Sequence, residues 1–217
     1  MKTRIYNLII LDESGSMELV RQEAIEGFNE SVKTIKSALK KHPEQQHFVS
    51  FVTFNGDGIK TVYNTSRADR VAEIDTRIYH PNSSTPLYDA MGRSILTLKH
   101  KLENNKEHPV KVLVTIITDG EENASEEFDG SMIRRLVENL KEQGWVFTYM
   151  GANHDVEKFA FSISIQNTFV WESTSEGARN LNRKAGLARE RMYDRLSENA
   201  SIDLNIGYFD DLEEEEG

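Results

Sequence analysis

The 217-residue sequence contains no cysteine. This absence excludes disulfide bonds, thiol catalysis and zinc-thiolate sites, and nothing in the composition points to an oxidising compartment. The sequence also lacks an apolar run near the roughly 18 residues that a membrane-spanning helix needs. Its longest apolar runs, near residues 8–11 and 112–118, have the length of a strand. We therefore expect a cytoplasmic protein that does not enter a membrane.

An excess of basic residues is missing as well, because 26 Lys and Arg stand against 36 Asp and Glu and give a net charge of −10. Proteins that bind nucleic acid through its backbone usually present a basic face, so we do not expect a nucleic-acid partner. Acidic residues are concentrated near the end of the chain, at Asp210, Asp211 and 213–216. We predict one domain over residues 1–200 and an acidic, disordered tail over 201–217.

Motifs of the common enzyme classes are absent or incomplete. There is no G-x-x-x-x-G-K-[ST] phosphate-binding loop, and neither Ser14 nor Ser16 lies in a G-x-S-x-G nucleophile motif. Asp12 could begin a phosphotransferase site of the haloacid-dehalogenase type, which places a second aspartate two residues on. Ser14 occupies that position here, so the general acid is missing. The sequence therefore predicts a protein that is not an enzyme, and a metal-dependent hydrolase remains only an alternative.

Strand-like and helix-like segments alternate along the chain. A nearly continuous apolar run at 4–11 predicts a buried strand, and apolar residues at three- and four-residue spacings predict a helix at about 17–41. Strands at 47–54 and 59–64 flank a turn rich in Gly and Asp, which predicts a hairpin. Later strands are predicted at 110–118, 145–152 and about 168–171, and helices at 86–102, 130–143, 155–164 and 175–197. This alternation predicts a doubly wound, Rossmann-like α/β sheet, mostly parallel with one antiparallel strand and with helices on both faces.

Polar residues follow the predicted strands where such sheets bind ligands, at the carboxyl ends of the strands. Asp12, Ser14 and Ser16 follow the first strand at alternate positions, which point the same way on an extended segment. Thr85 opens the helix that begins at Pro86, and Asp119 follows the fourth strand. Carboxylate and hydroxyl oxygens without histidine or thiol ligands favour Mg²⁺, with Mn²⁺ or Ca²⁺ as alternatives. The cluster after the first strand and Thr85 beside Pro86 would each, taken alone, also fit an ordinary helix cap, so the metal prediction depends on their combination with Asp119.

Three segments carry a resemblance to the von Willebrand factor type A domains, in matching order and spacing. Asp12-Glu13-Ser14-Gly15-Ser16 matches their D-x-S-x-S signature, Ser84-Thr85-Pro86-Leu87-Tyr88-Asp89-Ala90 resembles their threonine motif, and Ile117-Thr118-Asp119-Gly120 resembles their aspartate motif. The resemblance covers residues 4 to 197 approximately. The segment 149–155 is similar to bacterial and phage-associated members of the family. One departure is Asn82-Ser83-Ser84, where relatives often carry glycines.

The resemblance implies a metal-ion-dependent adhesion site. In it, Ser14, Ser16 and, in the ligand-ready state, Thr85 contact the metal directly, while Asp12 and Asp119 act mainly through water. The open coordination position is expected to accept an Asp or Glu of a partner protein. The resemblance also leaves open an accessory subunit that works beside an AAA-type ATPase, a metal chelatase or a tellurite-resistance system. The sequence does not predict an oligomeric state.

Overall fold

A computed structural model of the chain describes residues 2–103, 108–152, 155–198 and 207–209. Within these residues, six strands form one sheet: β1 (Thr3–Asp12), β2 (Gln45–Asn55), β3 (Gly58–Arg67), β4 (Val110–Ile117), β5 (Trp145–Gly151) and β6 (Asn167–Val170). The α-helices are α1 (Arg21–Lys41), α2 (Leu87–Leu102), α3 (Gly130–Glu142), α4 (Val156–Ser162) and α5 (Ser175–Glu198). Short 3-10 helices cover Gly15–Val20 and Ala68–Arg70. None of the helices in the described ranges is both long and apolar enough to cross a lipid bilayer.

The strand order is β3-β2-β1-β4-β5-β6, and only the β2–β3 pair is antiparallel. The predicted fold class is therefore confirmed. After β1 the chain adds β2 and β3 on one side, and it then returns to the other side of β1 as β4. The strand order reverses between β1 and β4, and open α/β sheets bind ligands at such a crevice. The segments that follow Asp12 and Ile117 lie at this edge of the sheet.

Both faces of the sheet are buried. Ile9 and Leu11 of β1 pack into the core under α1 and α5, while the alternate residues Leu8 and Ile10 pack under α2, α3 and α4. Alternation follows from the pleat of a strand, which sends successive side chains to opposite faces. Burial of both faces explains why β1 appears in the sequence as a continuous apolar run. The central strand is consequently held rigidly between two helical layers.

The predicted helix at 17–41 is divided in the structure. Its first turn belongs to the 3-10 helix Gly15–Val20, and α1 begins only at Arg21. The buried side chains of this turn, Met17 and Val20, are three residues apart, a spacing that places them on one face of a 3-10 helix and of an α-helix alike, so the pattern did not predict the division. The next helix also begins later than predicted, because Pro86 is the N-cap and α2 starts at Leu87. Thr85 therefore lies in the loop before the helix.

A short part of the predicted tail is described. Tyr208 is buried, its N–H donates to Asn167 Oδ1 at 3.3 Å, and the Phe209 ring lies 5.6 Å from that of Phe169. These contacts place residues 207–209 against β6. Residues 201–206 and 210–217 lie outside the described residues, so the division at residue 200 stays a prediction.

Burial of His47 should make the protein less stable in mild acid. His47 is 2% exposed, its Nε2 lies 3.0 Å from Gln45 Oε1, and its ring meets that of Tyr193 edge-on. Burial, with a smaller contribution from His42, lowers the pKa of His47 from 6.5 to about 4. The unfolded chain then binds this proton near pH 6.5 and the folded chain does not. The free energy of unfolding should fall by about 2–3 kcal/mol as the pH drops from 7 to 4.5.

Urea unfolding at the two pH values measures this loss. His47→Phe keeps an aromatic ring but has no titrating group. Its free energy of unfolding should therefore fall by about 2–3 kcal/mol less than that of the original protein between pH 7 and 4.5. His100→Gln is the matched control, because the His100 side chain is 86% exposed and should not contribute. Equal pH dependence in His47→Phe and in the original protein would contradict the assignment.

Candidate metal centre

Asp12 ends β1 at the reversal of strand order, and its side chain is completely buried. Its Oδ1 accepts the N–H of Ser14 at 2.7 Å, and its Oδ2 accepts the hydroxyl of Thr118 at 2.5 Å. The Tyr79 hydroxyl donates to the backbone oxygen of Asp12 at 2.5 Å. The carboxylate therefore connects the segment after β1 to the end of β4, and its orientation is set by donors on both sides.

The electrostatic environment of Asp12 is unfavourable to its charge. Burial raises the pKa of Asp12 from 3.8 to about 6, the nearby Asp119 adds to the rise, and hydrogen bonds from Thr118 and Ser14 oppose it. Among the described residues, no Lys, Arg or His forms an ion pair with this carboxylate. Buried carboxylates are ordinarily paired with a cation or bound to a metal. A divalent ion beside Asp12 would supply a positive charge to this carboxylate.

The two serines place hydroxyl oxygens at a spacing that a metal can use. Ser14 Oγ and Ser16 Oγ are 3.2 Å apart, and Ser16 Oγ donates to Asp119 Oδ1 at 2.6 Å. Neighbouring oxygens around an octahedral Mg²⁺ lie about 3 Å apart, because each Mg–O distance is about 2.0–2.1 Å. Ser14 is buried, whereas Ser16 is exposed. The pair is thus suited to hold an ion that remains accessible from outside.

Thr85 reaches the same place from the loop before α2. Its backbone is held by Asn123, which accepts the N–H of Thr85 at 2.9 Å through Oδ1 and donates its own N–H to the Thr85 oxygen at 3.2 Å. A Cβ atom on Gly120 would stand 3.6 Å from Thr85 Oγ1 and 3.8 Å from Ser16 Oγ. Glycine at position 120 therefore leaves open the space beside these two hydroxyls.

All five residues selected from the sequence come together at this point. Hydrogen bonds connect Asp12, Ser14, Ser16 and Asp119, and the hydroxyls of Thr85 and Ser16 both lie within 4 Å of the position that a Cβ atom on Gly120 would take. In the described part of the chain, no group of three or more His, Asp or Glu residues could hold a metal. The donor set is made of oxygen atoms, mostly hydroxyls, and fits a hard divalent cation. Metal binding by these residues stays a prediction.

Sequence reasoning missed several residues that support the site. Thr118 donates to Asp12, Asn123 holds the Thr85 backbone, and Ser173 Oγ donates to Asp119 Oδ2 at 3.1 Å. Thr118 lies next to Asp119 and could have been selected from that position alone. Ser173 is 54 residues beyond Asp119, in the connection from β6 to α5, and no local pattern identifies it.

The loop before Thr85 is strained at Ser83. Ser83 has a φ of +68°, in the left-handed region, and its backbone oxygen accepts the N–H of Gly15 at 3.1 Å. For a residue with a Cβ atom this conformation has a steric cost of about 1–2 kcal/mol, and for glycine the cost is much smaller. The contact with Gly15 keeps Ser83 in this conformation and joins the Thr85 loop to the serine segment.

Ser83→Gly should raise the free energy of unfolding by about 0.5–1 kcal/mol, because glycine removes the steric cost at this φ. Ser84→Gly is the matched control, since Ser84 does not have a positive φ, and it should be neutral or destabilising. Chemical denaturation of the two variants measures the difference. Destabilisation by Ser83→Gly equal to that by Ser84→Gly would show that the strain is absent.

Comparison with solved structures finds the same fold in proteins of very different sequence. The pilus adhesin SpaC from Lactobacillus rhamnosus GG, in an open conformation, superposes with a TM-score of 0.60 at 11% identity, over 89% of this chain and 30% of that chain. Proximal thread matrix protein 1 from the mussel byssus gives a TM-score of 0.53 at 15% identity, over 83% of this chain and 44% of that chain. The SpRpn10 VWA domain gives 0.50 at 13% identity, over 81% and 92%.

These identities are low enough that the likeness concerns the fold alone, and this chain spans less than half of the adhesin and mussel chains. A comparison with curated proteins gave no match. The sequence model of the von Willebrand factor type A domain, in contrast, matches residues 8–184. That range includes the second half of β1, strands β2 to β6 and all five residues of the candidate site. The chain therefore belongs to the von Willebrand factor type A domain family.

Proposed function

We propose that this chain is a Mg²⁺-dependent protein-binding module without enzymatic activity. The observation that carries the proposal is the hydrogen-bonded oxygen cluster at the reversal of strand order, which contains the exposed Ser16 and the buried carboxylates of Asp12 and Asp119. Mn²⁺ or Ca²⁺ could take the place of Mg²⁺ in the same oxygen environment.

The division of roles follows the family resemblance. Ser14, Ser16 and Thr85 hold the ion directly, and Asp12 and Asp119 hold its water ligands. When bound, the ion supplies an electrophilic centre that attracts an anionic oxygen. Three neutral hydroxyls leave more of its charge uncompensated than carboxylate ligands do, so an Asp or Glu of the partner binds favourably at the open position. This chain presents the ion and orients the incoming carboxylate.

The hydrogen bonds of the serines favour binding over catalysis. Ser14 and Ser16 bond to each other, and Ser16 donates to Asp119; in the described structure neither hydroxyl bonds to a histidine. Histidine is the usual base of a nucleophilic serine, and the carboxylate that Ser16 does contact, Asp119, is assigned to the ion in this proposal. The pilus adhesin SpaC, which shares this fold, is by its name an adhesion protein, and this agrees with a binding role. Nothing in the site favours the alternative of an accessory subunit of an ATPase over a simple binding module.

Titration calorimetry with MgCl₂ tests the metal site. The original protein should bind about one ion, and Ser16→Ala should weaken binding by tenfold or more, or about 1.4 kcal/mol, because it removes a direct ligand. Ser162→Ala, on the exposed surface of α4, is the control and should bind Mg²⁺ normally. Without metal, Ser16→Ala should lower the free energy of unfolding by about 1–2 kcal/mol, because it removes the hydrogen bond to the buried Asp119, so both proteins are titrated where circular dichroism shows them folded. Unchanged Mg²⁺ affinity in Ser16→Ala would refute the site.

Affinity capture tests the binding role. Proteins retained from a native lysate in Mg²⁺ should be released by a chelator, and Asp12→Ala and Thr85→Ala should not retain them. Thr85→Ser keeps the hydroxyl and should restore retention, which separates loss of the ligand from loss of folding. Retention of the same proteins in chelator, or by Thr85→Ala, would mean that the partner binds elsewhere.

A further inference from the structure

The segments that surround the candidate metal site contain acidic residues and no basic ones. Residues 12–20, 80–92, 118–133 and 171–178 hold twelve Asp and Glu and no Lys or Arg. Four arginines, Arg21, Arg93, Arg134 and Arg179, follow directly after these segments, and Arg21 and Arg93 form ion pairs with Glu18 and Glu127. Two of the twelve acids, Asp12 and Asp119, are the carboxylates that a divalent ion neutralises. Of the others, Glu18 and Glu121 are exposed and lie within two residues of Ser16 and Asp119 along the chain, so they give the site a negative rim.

Some acids of these segments are turned inward and bond to backbone N–H groups. Glu13 accepts the N–H of His80, Glu122 accepts that of Tyr88 at 2.8 Å, and Asp89 accepts that of Phe128 at 2.8 Å. These side chains shape the loops and do not offer oxygens to a partner.

Other acids face outward beside the metal ligands. Glu18 follows Ser16 by two residues, its side chain is 59% exposed, and its ion pair with Arg21 is long, at 3.7 Å. Glu121 is exposed and follows Gly120, the residue that leaves space for the hydroxyls of Ser16 and Thr85. Their charges act on whatever segment approaches the ion.

An exposed apolar side chain accompanies these charges. Leu19 is 77% exposed, although its neighbours in the same 3-10 helix, Met17 and Val20, are buried. Residues three apart lie on the same side of a 3-10 helix, so Leu19 stands on the side of Ser16. A segment that binds at Ser16 would bury apolar area by covering Leu19.

We infer that the partner segment presents its acidic residue among Lys and Arg residues and covers Leu19 with an apolar side chain. This inference rests on the proposed metal-dependent binding. The ion attracts one carboxylate, while Glu18 and Glu121 repel any further acid and attract basic residues on either side. Exposed charges within about 8–10 Å interact measurably at physiological salt, which covers the residues next to the bound carboxylate. The site thereby distinguishes a basic segment with one acid from a uniformly acidic segment.

Selection from a random peptide library displayed on phage tests this inference without a known partner. The full chain is immobilised in Mg²⁺, bound phage are eluted with a chelator, and the selected peptides are sequenced. Peptides from the original protein should contain one Asp or Glu, with Lys and Arg beside it at roughly twice their frequency in the library or more, and a nearby apolar residue. Binding of a selected synthetic peptide should weaken as salt concentration rises.

Charge reversal at Glu18 and Glu121 is the decisive part of this test. With Glu18→Lys and Glu121→Lys combined, selected peptides should keep their Asp or Glu but lose the basic flanks. Reversal of Glu142 and Glu190, two exposed acids outside the four segments, should leave the flanks unchanged. Leu19→Ser should remove the apolar preference alone.

The failure of the inference is distinguishable from that of the proposed function. Peptides with a carboxylate but without basic flanks, or with flanks that do not respond to Glu18→Lys and Glu121→Lys, overturn the inference and leave metal-dependent binding intact. Peptides without an enriched Asp or Glu, or an empty selection from a protein that binds Mg²⁺, overturn both.

Discussion

The edge of the sheet at the carboxyl ends of β1 and β4 depends on the hydrogen bonds of one carboxylate, that of Asp12. It accepts hydrogen bonds from Ser14 N–H and the Thr118 hydroxyl, and so joins the ends of β1 and β4 at the point where strand order reverses. Two layers of helices pack against these strands from both sides, so the carboxylate stays buried away from solvent. Burying this charge is costly. The folded chain therefore holds a buried negative charge that a bound cation would neutralise.

The remaining parts of the site would hold that cation where a partner can reach it. The 3-10 turn after Asp12 carries Ser16 to the exposed surface, the contact of Gly15 with Ser83 draws in the Thr85 loop, and Asn123 fixes Thr85. In the proposed function, buried carboxylates retain the ion while hydroxyls expose it to the partner. Acids at the rim then select among partners by charge, which adds specificity to an attraction that any carboxylate would otherwise satisfy.

Much of this arrangement could be predicted from the sequence, because the governing patterns are local. Apolar runs such as 4–11 show that both faces of the sheet are buried, and the Gly- and Asp-rich turn before Gly58 identifies the one antiparallel pair. Asp12, Ser14 and Ser16 are close in sequence, and their convergence with Thr85 and Asp119 follows from the rule that ligands bind where the strand order reverses. Features set by distant contacts were not predictable. Ser173 meets Asp119 only through the packing of α5, and the spacing of Met17 and Val20 does not separate the 3-10 turn from α1, because residues three apart share a face in both kinds of helix.

The most direct test of the account is a crystal structure of the chain grown with MnCl₂, with the ion located by anomalous scattering. The account predicts one strong anomalous peak within about 2–2.5 Å of the hydroxyl oxygens of Ser14 and Ser16. A water-mediated contact to Asp12 or Asp119 should be visible beside it. Absence of a peak at these hydroxyls in crystals that hold Mn²⁺ elsewhere would contradict the account.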